Sequence, residues 1–518
     1  SAFRNNGWGI NANADYLINP SKPYVNYTTG INEKYYLTHD ANGNITGAVT
    51  ENGGSAWRNA YHTMTSLFFR GSYDYDERYM AQFTIRRDGS SRFGSNHKYG
   101  TFPSFSLGWN LTNEPYLQPL RKAFSNLKLR FSWGKNGNDN IGNFRYTVNT
   151  EMGNNYYFGK QSTLYQGSKA SGLPNPDLKW EESEQTNFGI DFGFLQNSLT
   201  LTVDYFKKKT NGMLMTMNIP SYVGEAKPIG NVGDMENQGV EFEAGYKFNV
   251  GPVKLNIKGN ASYLKNKLIR YGNETGYADY DTWQGGGVIT RAENGQPFPF
   301  FYGYKTAGIF QTPEEVKAYV NKDGNMILPN AVPGDIRFVD INGDGKIDND
   351  DRTNIGNGTP KWTFGLNLNA SWHGFDFSMY WAGVAGVDIF DATRRSDIAS
   401  SNYPTWMLDR WTGPGTSNKV PRLVNGDANN WQSSDLFIND GSYFRLKNIT
   451  LGYTLPQNIT RKIMIDRLRV FVMAENLVTL TKYHGFDPEI SSGGTSLGID
   501  YGVYPQPRTW TIGFNVTL

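Results

Sequence analysis

The chain has 518 residues, no cysteine, 58 glycines and an aromatic share of 15%. Its 50 Lys and Arg are balanced by 48 Asp and Glu, a net charge of +2, which argues against a polyanion partner and so against nucleic acid. Disulfides and Cys-ligated zinc are excluded outright, and no run of about 18 apolar residues exists to form a membrane helix.

In chain order, residues 1–62 are rich in Asn, Gly and Tyr and alternate little, so they read as loop. From 63 onward the dominant signal is period-two alternation in runs of about ten residues, the length of a tilted strand that crosses a bilayer. Strands are predicted near 63–74, 78–87, 101–111 and 126–135. The pair at 186–194 and 198–207 shows the unit. Phe188, Ile190, Phe192 and Phe194 alternate with Asn187, Gly189, Asp191 and Gly193, and beyond Gln196-Asn197 come Leu199, Leu201, Val203 and Tyr205. The pattern returns at 238–248 and 253–262 around Gly251-Pro252, and at 362–371 and 375–383 around His373-Gly374. It ends with 443–455, 467–476 and 508–518, for about thirteen strands, each greasy on one face and wet on the other.

Alternation alone also fits a soluble β-sandwich. Loop length decides between the two. Turns within successive pairs are mostly short, whereas 136–185, 207–237, 263–361, 384–442 and 477–507 are long, and outer-membrane barrels segregate short periplasmic turns from long extracellular loops in this way. The expected fold is all-β, a transmembrane antiparallel β-barrel. An odd strand set running from the long-loop rim to the short-turn rim does not close a bacterial barrel, so the expectation is a partial barrel. Residues 1–62 are then the remnant of an extracellular loop and 63–518 the C-terminal part of the barrel.

Several segments resemble the barrel half of the SusC/RagA family of TonB-dependent outer-membrane transporters. They include Arg87-Asp88-Gly89-Ser90-Ser91-Arg92-Phe93-Gly94, Gly100-Thr101-Phe102-Pro103-Ser104, Asn175-Pro176-Asp177-Leu178-Lys179-Trp180-Glu181 and Asn237-Gln238-Gly239-Val240-Glu241. Gly441-Ser442-Tyr443-Phe444-Arg445-Leu446-Lys447-Asn448, Leu451-Gly452-Tyr453-Thr454-Leu455-Pro456, Tyr483-His484-Gly485-Phe486-Asp487-Pro488-Glu489 and the final Pro507-Arg508-Thr509-Trp510 continue the likeness. The family usually ends in Phe, where this chain has Leu518. The resemblance implies a barrel of about 22 strands in the outer membrane of a Gram-negative bacterium. It also implies a plug domain that this chain lacks, a TonB contact through that plug, and a companion N-terminal barrel segment. A SusD-like surface lipoprotein would close over the mouth, and oligosaccharides or peptides would be imported without covalent chemistry. The competing readings are a passive porin and a secreted glycan-binding protein.

One local motif points to a ligand. Asp340-Ile341-Asn342-Gly343-Asp344-Gly345-Lys346-Ile347-Asp348-Asn349-Asp350-Asp351 matches a twelve-residue calcium loop, with side-chain oxygens from Asp340, Asn342, Asp344, Asp348 and Asp351 and a carbonyl from Lys346. Asp351 stands where such loops carry Glu and reaches less far, which makes Mg²⁺ a competitor to Ca²⁺. The alternative is an Asn/Asp/Gly turn that binds nothing. Enzyme signatures are poor. Gly494-Thr495-Ser496-Leu497-Gly498 has the nucleophile-elbow spacing but no strand and helix around it, Glu181, Glu182 and Glu184 read as lumen-facing or rim charges, and His39, His62, His97, His373 and His484 show no metal spacing. For binding, the aromatic groups Tyr156-Tyr157-Phe158, Trp283 and Phe298, Phe300, Phe301 and Tyr302 are set against a girdle or loop-packing role.

Overall fold

The computed structural model describes residues 2–11, 33–39, 45–52 and 55–518, apart from 149, 153–155, 158–163, 166, 218, 396–397, 399, 425–428 and 491. One antiparallel sheet of 14 strands dominates it, each strand pairing with its neighbours in chain order. They are β1 (Ala2–Asn11), β2 (Ser55–Tyr75), β3 (Tyr79–Ser90), β4 (Tyr99–Asn110), β5 (Asn126–Asn138), β6 (Glu181–Phe194) and β7 (Leu199–Thr216). There follow β8 (Ile229–Val250), β9 (Val253–Tyr271), β10 (Trp362–Trp372), β11 (Phe375–Ala385), β12 (Tyr443–Thr454), β13 (Arg467–Thr481) and β14 (Thr509–Thr517). No helix is long and apolar enough to cross a membrane.

All thirteen predicted strands are present. The sequence reading placed 1–62 outside the sheet, but β1 pairs along β2 from Ala2↔Thr65 to Asn11↔Ser55. A segment of Arg, Asn and Gly carries no alternation signal, yet main-chain pairing needs none. Several strands also overrun their predicted ends toward the long-loop rim: β8 spans 22 residues and β9 spans 19. Beyond the bilayer both faces meet water, so the ladder continues after the apolar alternation has stopped.

Register puts the apolar residues of successive strands in line. Phe188 stands between Phe131 and Tyr205, Tyr205 faces Val240, and Val240 faces Tyr263. Shifting one strand by a single residue would turn its whole apolar row to the wet side. The greasy face is uncovered: in β14 Trp510 is 66%, Ile512 79% and Phe514 73% exposed, as a face that meets lipid should be. At one rim the connections are 76–78, 111–125, 195–198, 251–252, 373–374 and 455–466; at the other they are 12–54, 91–98, 139–180, 217–228, 272–361, 386–442 and 482–508. The tightest turn explains His373, which sits at φ 42° before Gly374 at φ 89°, both left-handed as a two-residue type I′ hairpin turn requires.

The long loops fold over their rim as a body with its own core. Trp283, Ile289, Phe301, Phe390, Met407, Trp431, Phe437 and Ile499 form a buried cluster drawn from three loops. Polar contacts stitch the loops together: Trp283 donates to the Arg394 carbonyl at 2.9 Å, Arg422 and Asn430 both reach the buried Asp335, and Thr306 donates to Asp435. A strand at Asp388–Asp391 pairs with Ile438–Asp440 and, in parallel, with Ile499–Asp500.

Candidate transport path and barrel mouth

The face opposite the apolar rows is polar and bears two cross-strand ion bridges built the same way. Arg130 on β5 donates to both oxygens of Asp191 on β6, at 2.7 and 2.9 Å, and reaches over β6 to Asp204 on β7 at 2.9 Å. The reach passes over Gly189, where a Cβ would collide with the Asp204 carboxylate and the Arg130 guanidinium. Arg469 on β13 bonds Asp376 on β11 across Gly452 of β12 in the same manner, and a Cβ there would strike its guanidinium. A glycine in the middle strand is thus what lets an arginine span three strands. Between these bridges Glu241, Glu243, Asn260, Ser262 and Tyr380 line a polar depression of about 390 Å³.

At the mouth, loop 482–508 is tied to the inner wall. Arg445, 3% exposed, forms an ion pair with the equally hidden Asp487 and a second with Glu489 at 2.8 Å, and Lys447 also holds Glu489. Burial raises the Asp487 pKa, but Arg445 and the Gln506 and Glu489 amides outweigh it and leave the carboxyl below the usual aspartate range. Tyr483, buried, donates to Asp500 at 2.6 Å; burial and that carboxylate push its phenol well above its ordinary value. The tied loop presents Phe486, Tyr501 and Tyr504, which are 73%, 53% and 86% exposed in this chain. These aromatics belong to no alternating row, so periodicity could not single them out; Phe486 is signalled by the motif at 483–489, and Tyr501 and Tyr504 lie beyond it.

Residues flagged in the sequence fall as follows. Trp283, Phe300, Phe301 and Tyr302 are buried in the loop body, so their role is packing. Tyr156 is exposed, while the side chain of Tyr157 and all of Phe158 lie outside the described residues. Glu181 takes Asn138 and the Leu214 amide, Glu182 pairs with Lys135, and Glu184 accepts from Trp133, so these acids brace the rim of the sheet. Ser496 lies in a short 3-10 turn and donates to Asp281, with no strand-to-helix elbow. Ser90, His62 and Asp139 meet, but both Ser90 and His62 contact the same Asp139 oxygen, at 2.7 and 3.0 Å. Ser90 donates to the carboxylate, and its contact with the His62 imidazole is longer, at 3.5 Å, so the three form a hydrogen-bonded knot centred on Asp139. His97 and His484 lie near Asp177 and Asp391, and the His39 side chain is outside the described residues.

The 340–351 segment forms a tight turn in which Asp340 accepts from the Gly343 and Gly345 amides, Asn342 from Asp344, and Asp344 from Lys346. Asp351, fully buried, closes the turn by accepting from Ile341 and Asp348. The Lys346 ammonium lies against Asp348 and Asp344; Asp348 holds the lysine pKa up and is itself held down by the lysine. Among the described residues no three acidic or histidine side chains converge as a metal cage. The donors are nonetheless hard oxygens, the kind that Ca²⁺ and Mg²⁺ take.

A wide antiparallel sheet, greasy outside and polar inside, with long loops on one rim and short turns on the other, is the wall of an outer-membrane β-barrel. The family model described as TonB dependent receptor-like, beta-barrel matches residues 2–477. The chain belongs to that family of TonB-dependent receptors, in its SusC/RagA-like group. TonB-dependent receptor P3 of Formosa agariphila is 31% identical over 466 residues, covering 88% of this chain and 45% of that protein. TonB-dependent receptor SusC of Bacteroides thetaiotaomicron is 31% identical over 471 residues, covering 88% and 44%. The solved RagAB peptide transporter superposes with a TM-score of 0.71 at 26% identity, over 92% of this chain and 49% of that one. The chain therefore spans about half the length of the curated relatives it matches.

Proposed function

We propose that this chain forms part of the barrel wall and mouth of a TonB-dependent nutrient importer that takes up oligosaccharides or peptides with a SusD-like surface lipoprotein. The observation that carries the reading is the polar inner wall joined to a mouth loop, 482–508, built on residues of the SusC/RagA likeness: Arg445, Lys447, Asp487 and Glu489. Sequence outside this chain would supply the remaining strands, the plug and the TonB contact. Such an importer does no covalent chemistry: substrate held between mouth and lipoprotein passes inward when TonB draws on the plug. Peptide mass analysis of the detergent-purified particle tests this. A plug-bearing partner segment and a lipoprotein are expected to copurify; a stable particle of this chain alone would favour a passive porin.

We also propose that loop 340–351 holds Ca²⁺, or Mg²⁺ in its place, as a structural ion, through Asp340, Asn342, Asp344, Asp348, Asp351 and the Lys346 carbonyl. The chemistry of that donor set supports the reading. Ca²⁺ added to chelator-treated transporter is expected to slow amide exchange across 340–351 at least fivefold, an effect abolished by Asp344→Asn with Asp348→Asn. Equal exchange with and without Ca²⁺ would leave the loop as a bare turn.

A further inference from the structure

The greasy face is not evenly filled. Near the short-turn rim, Ala81 on β3 stands between Tyr73 on β2 and Leu107 on β4 in one cross-strand row that continues to Phe131 and Phe188. A methyl group among rings leaves a groove of about 500 Å³, walled by Tyr73, Tyr79, Leu107, Trp109, Tyr116 and Phe188. This lies within the roughly 300–1,000 Å³ typical of small-ligand sites. Its wall on the rim side is an ordered aromatic row: Trp109 stacks on Tyr79 at 6.2 Å, Tyr79 on Tyr75 at 6.5 Å, and the Arg78 guanidinium covers Tyr75 at 5.1 Å.

The turn beside the groove is the longest at its rim. Residues 111–125 fold as two 3-10 turns, Leu111–Asn113 and Pro115–Lys122. The buried Glu114 pins them, accepting from the Trp109 indole at 2.9 Å and facing Arg78 at 3.7 Å. The pinned turn carries Tyr116, 67% exposed, into the groove, and ends in exposed Arg121 and Lys122. Of the acids nearby, Asp76 and Glu114 are both engaged by Arg78, and Glu77 remains beside them. Arg121 is steadied by donating to the Thr112 carbonyl.

We propose that this groove is a specific phospholipid site of the periplasmic leaflet, with one acyl chain lying over Ala81 and the lipid phosphate held by Lys122 and Arg121. The groove opens on the outer face between β2 and β6, strands flanked on both sides by others of this chain, so neither plug nor further strands can cover it. What meets it is the bilayer, and an apolar slot beside a turn that carries exposed Arg121 and Lys122 matches an acyl chain joined to a phosphate. The assignment rests on the barrel reading alone and not on what the protein imports.

The test uses the whole transporter, delipidated in detergent and titrated with phosphatidylethanolamine carrying a brominated acyl chain, which quenches nearby tryptophan. Trp109→Phe isolates the Trp109 signal. Saturable quenching is expected, with one lipid per chain retained in native mass spectra. Lys122→Ala should weaken the midpoint about fivefold, and Ala81→Leu, which fills the groove and stays apolar, should abolish the saturable phase. Heat-dependent gel mobility confirms that each variant barrel is folded. Quenching that rises without saturation and is equal in wild type and Ala81→Leu would mean annular lipid only, and a second transporter copy cross-linked over the groove would assign it to a protein contact; either overturns the proposal.

Discussion

The wall and the loop body over its mouth bury opposite things. In β14 the large apolar residues are the exposed ones, Ile512 at 79%, while in the loop body Trp283 is 3% and Phe390 0% exposed. Both regions come from one chain of uniform composition, so hydrophobicity alone does not place a residue; the surrounding solvent does. The loop body stands in water and collapses round its aromatics like a small soluble domain, whereas the wall turns the same residues toward lipid and keeps its ion bridges within.

The contrast can be broken most severely at its two extremes. Trp283→Ala should cost the loop body about 3–5 kcal/mol, because it removes a ring in contact with Phe390, Trp431 and Phe437 and the bond to Arg394. Amide exchange should accelerate across 283–301 and 388–440 while the wall stays protected; loss of the wall as well would mean the two regions are one cooperative unit. Next in size, Ile512→Arg on the lipid side should destabilise the barrel by about 2–4 kcal/mol, and Thr511→Arg, one residue along and on the inner face, by much less. Equal urea midpoints for these two would contradict the assignment of faces.

A smaller effect is expected at Gly189→Ala, which displaces the Arg130–Asp204 bridge and should cost about 1–3 kcal/mol. If Gly189→Ala paired with Asp204→Ala is no worse than Asp204→Ala alone, the glycine serves the bridge; additive losses would mean that it serves the backbone. The gentlest perturbation is pH. Since Asp487 is depressed below its usual value, its contribution is fully present above the ordinary aspartate range and fades only as pH falls through the lower, folded value. A nitroxide on Gly493→Cys, placed in open space in a chain otherwise free of cysteine, should stay immobile at neutral pH and loosen only in strong acid. Loosening already at pH 6 would assign the tie to some other group.

The amino-acid order by itself determined the wall. Alternation marked thirteen strands, loop asymmetry set the two rims, and motifs such as Tyr483-His484-Gly485-Phe486-Asp487-Pro488-Glu489 pointed to the family, because a strand facing lipid on one side leaves a period-two record in its own residues. It did not reveal β1, whose Asn and Gly record nothing of their pairing. Nor did it show that Arg130 meets Asp204 across Gly189, that Arg445 holds Asp487, or that Trp283 is core and not a binding surface. Those contacts join residues tens to more than a hundred positions apart, and no local period encodes them. Only the lateral pairing of the strands and the collapse of three loops on one another decided which side chains met.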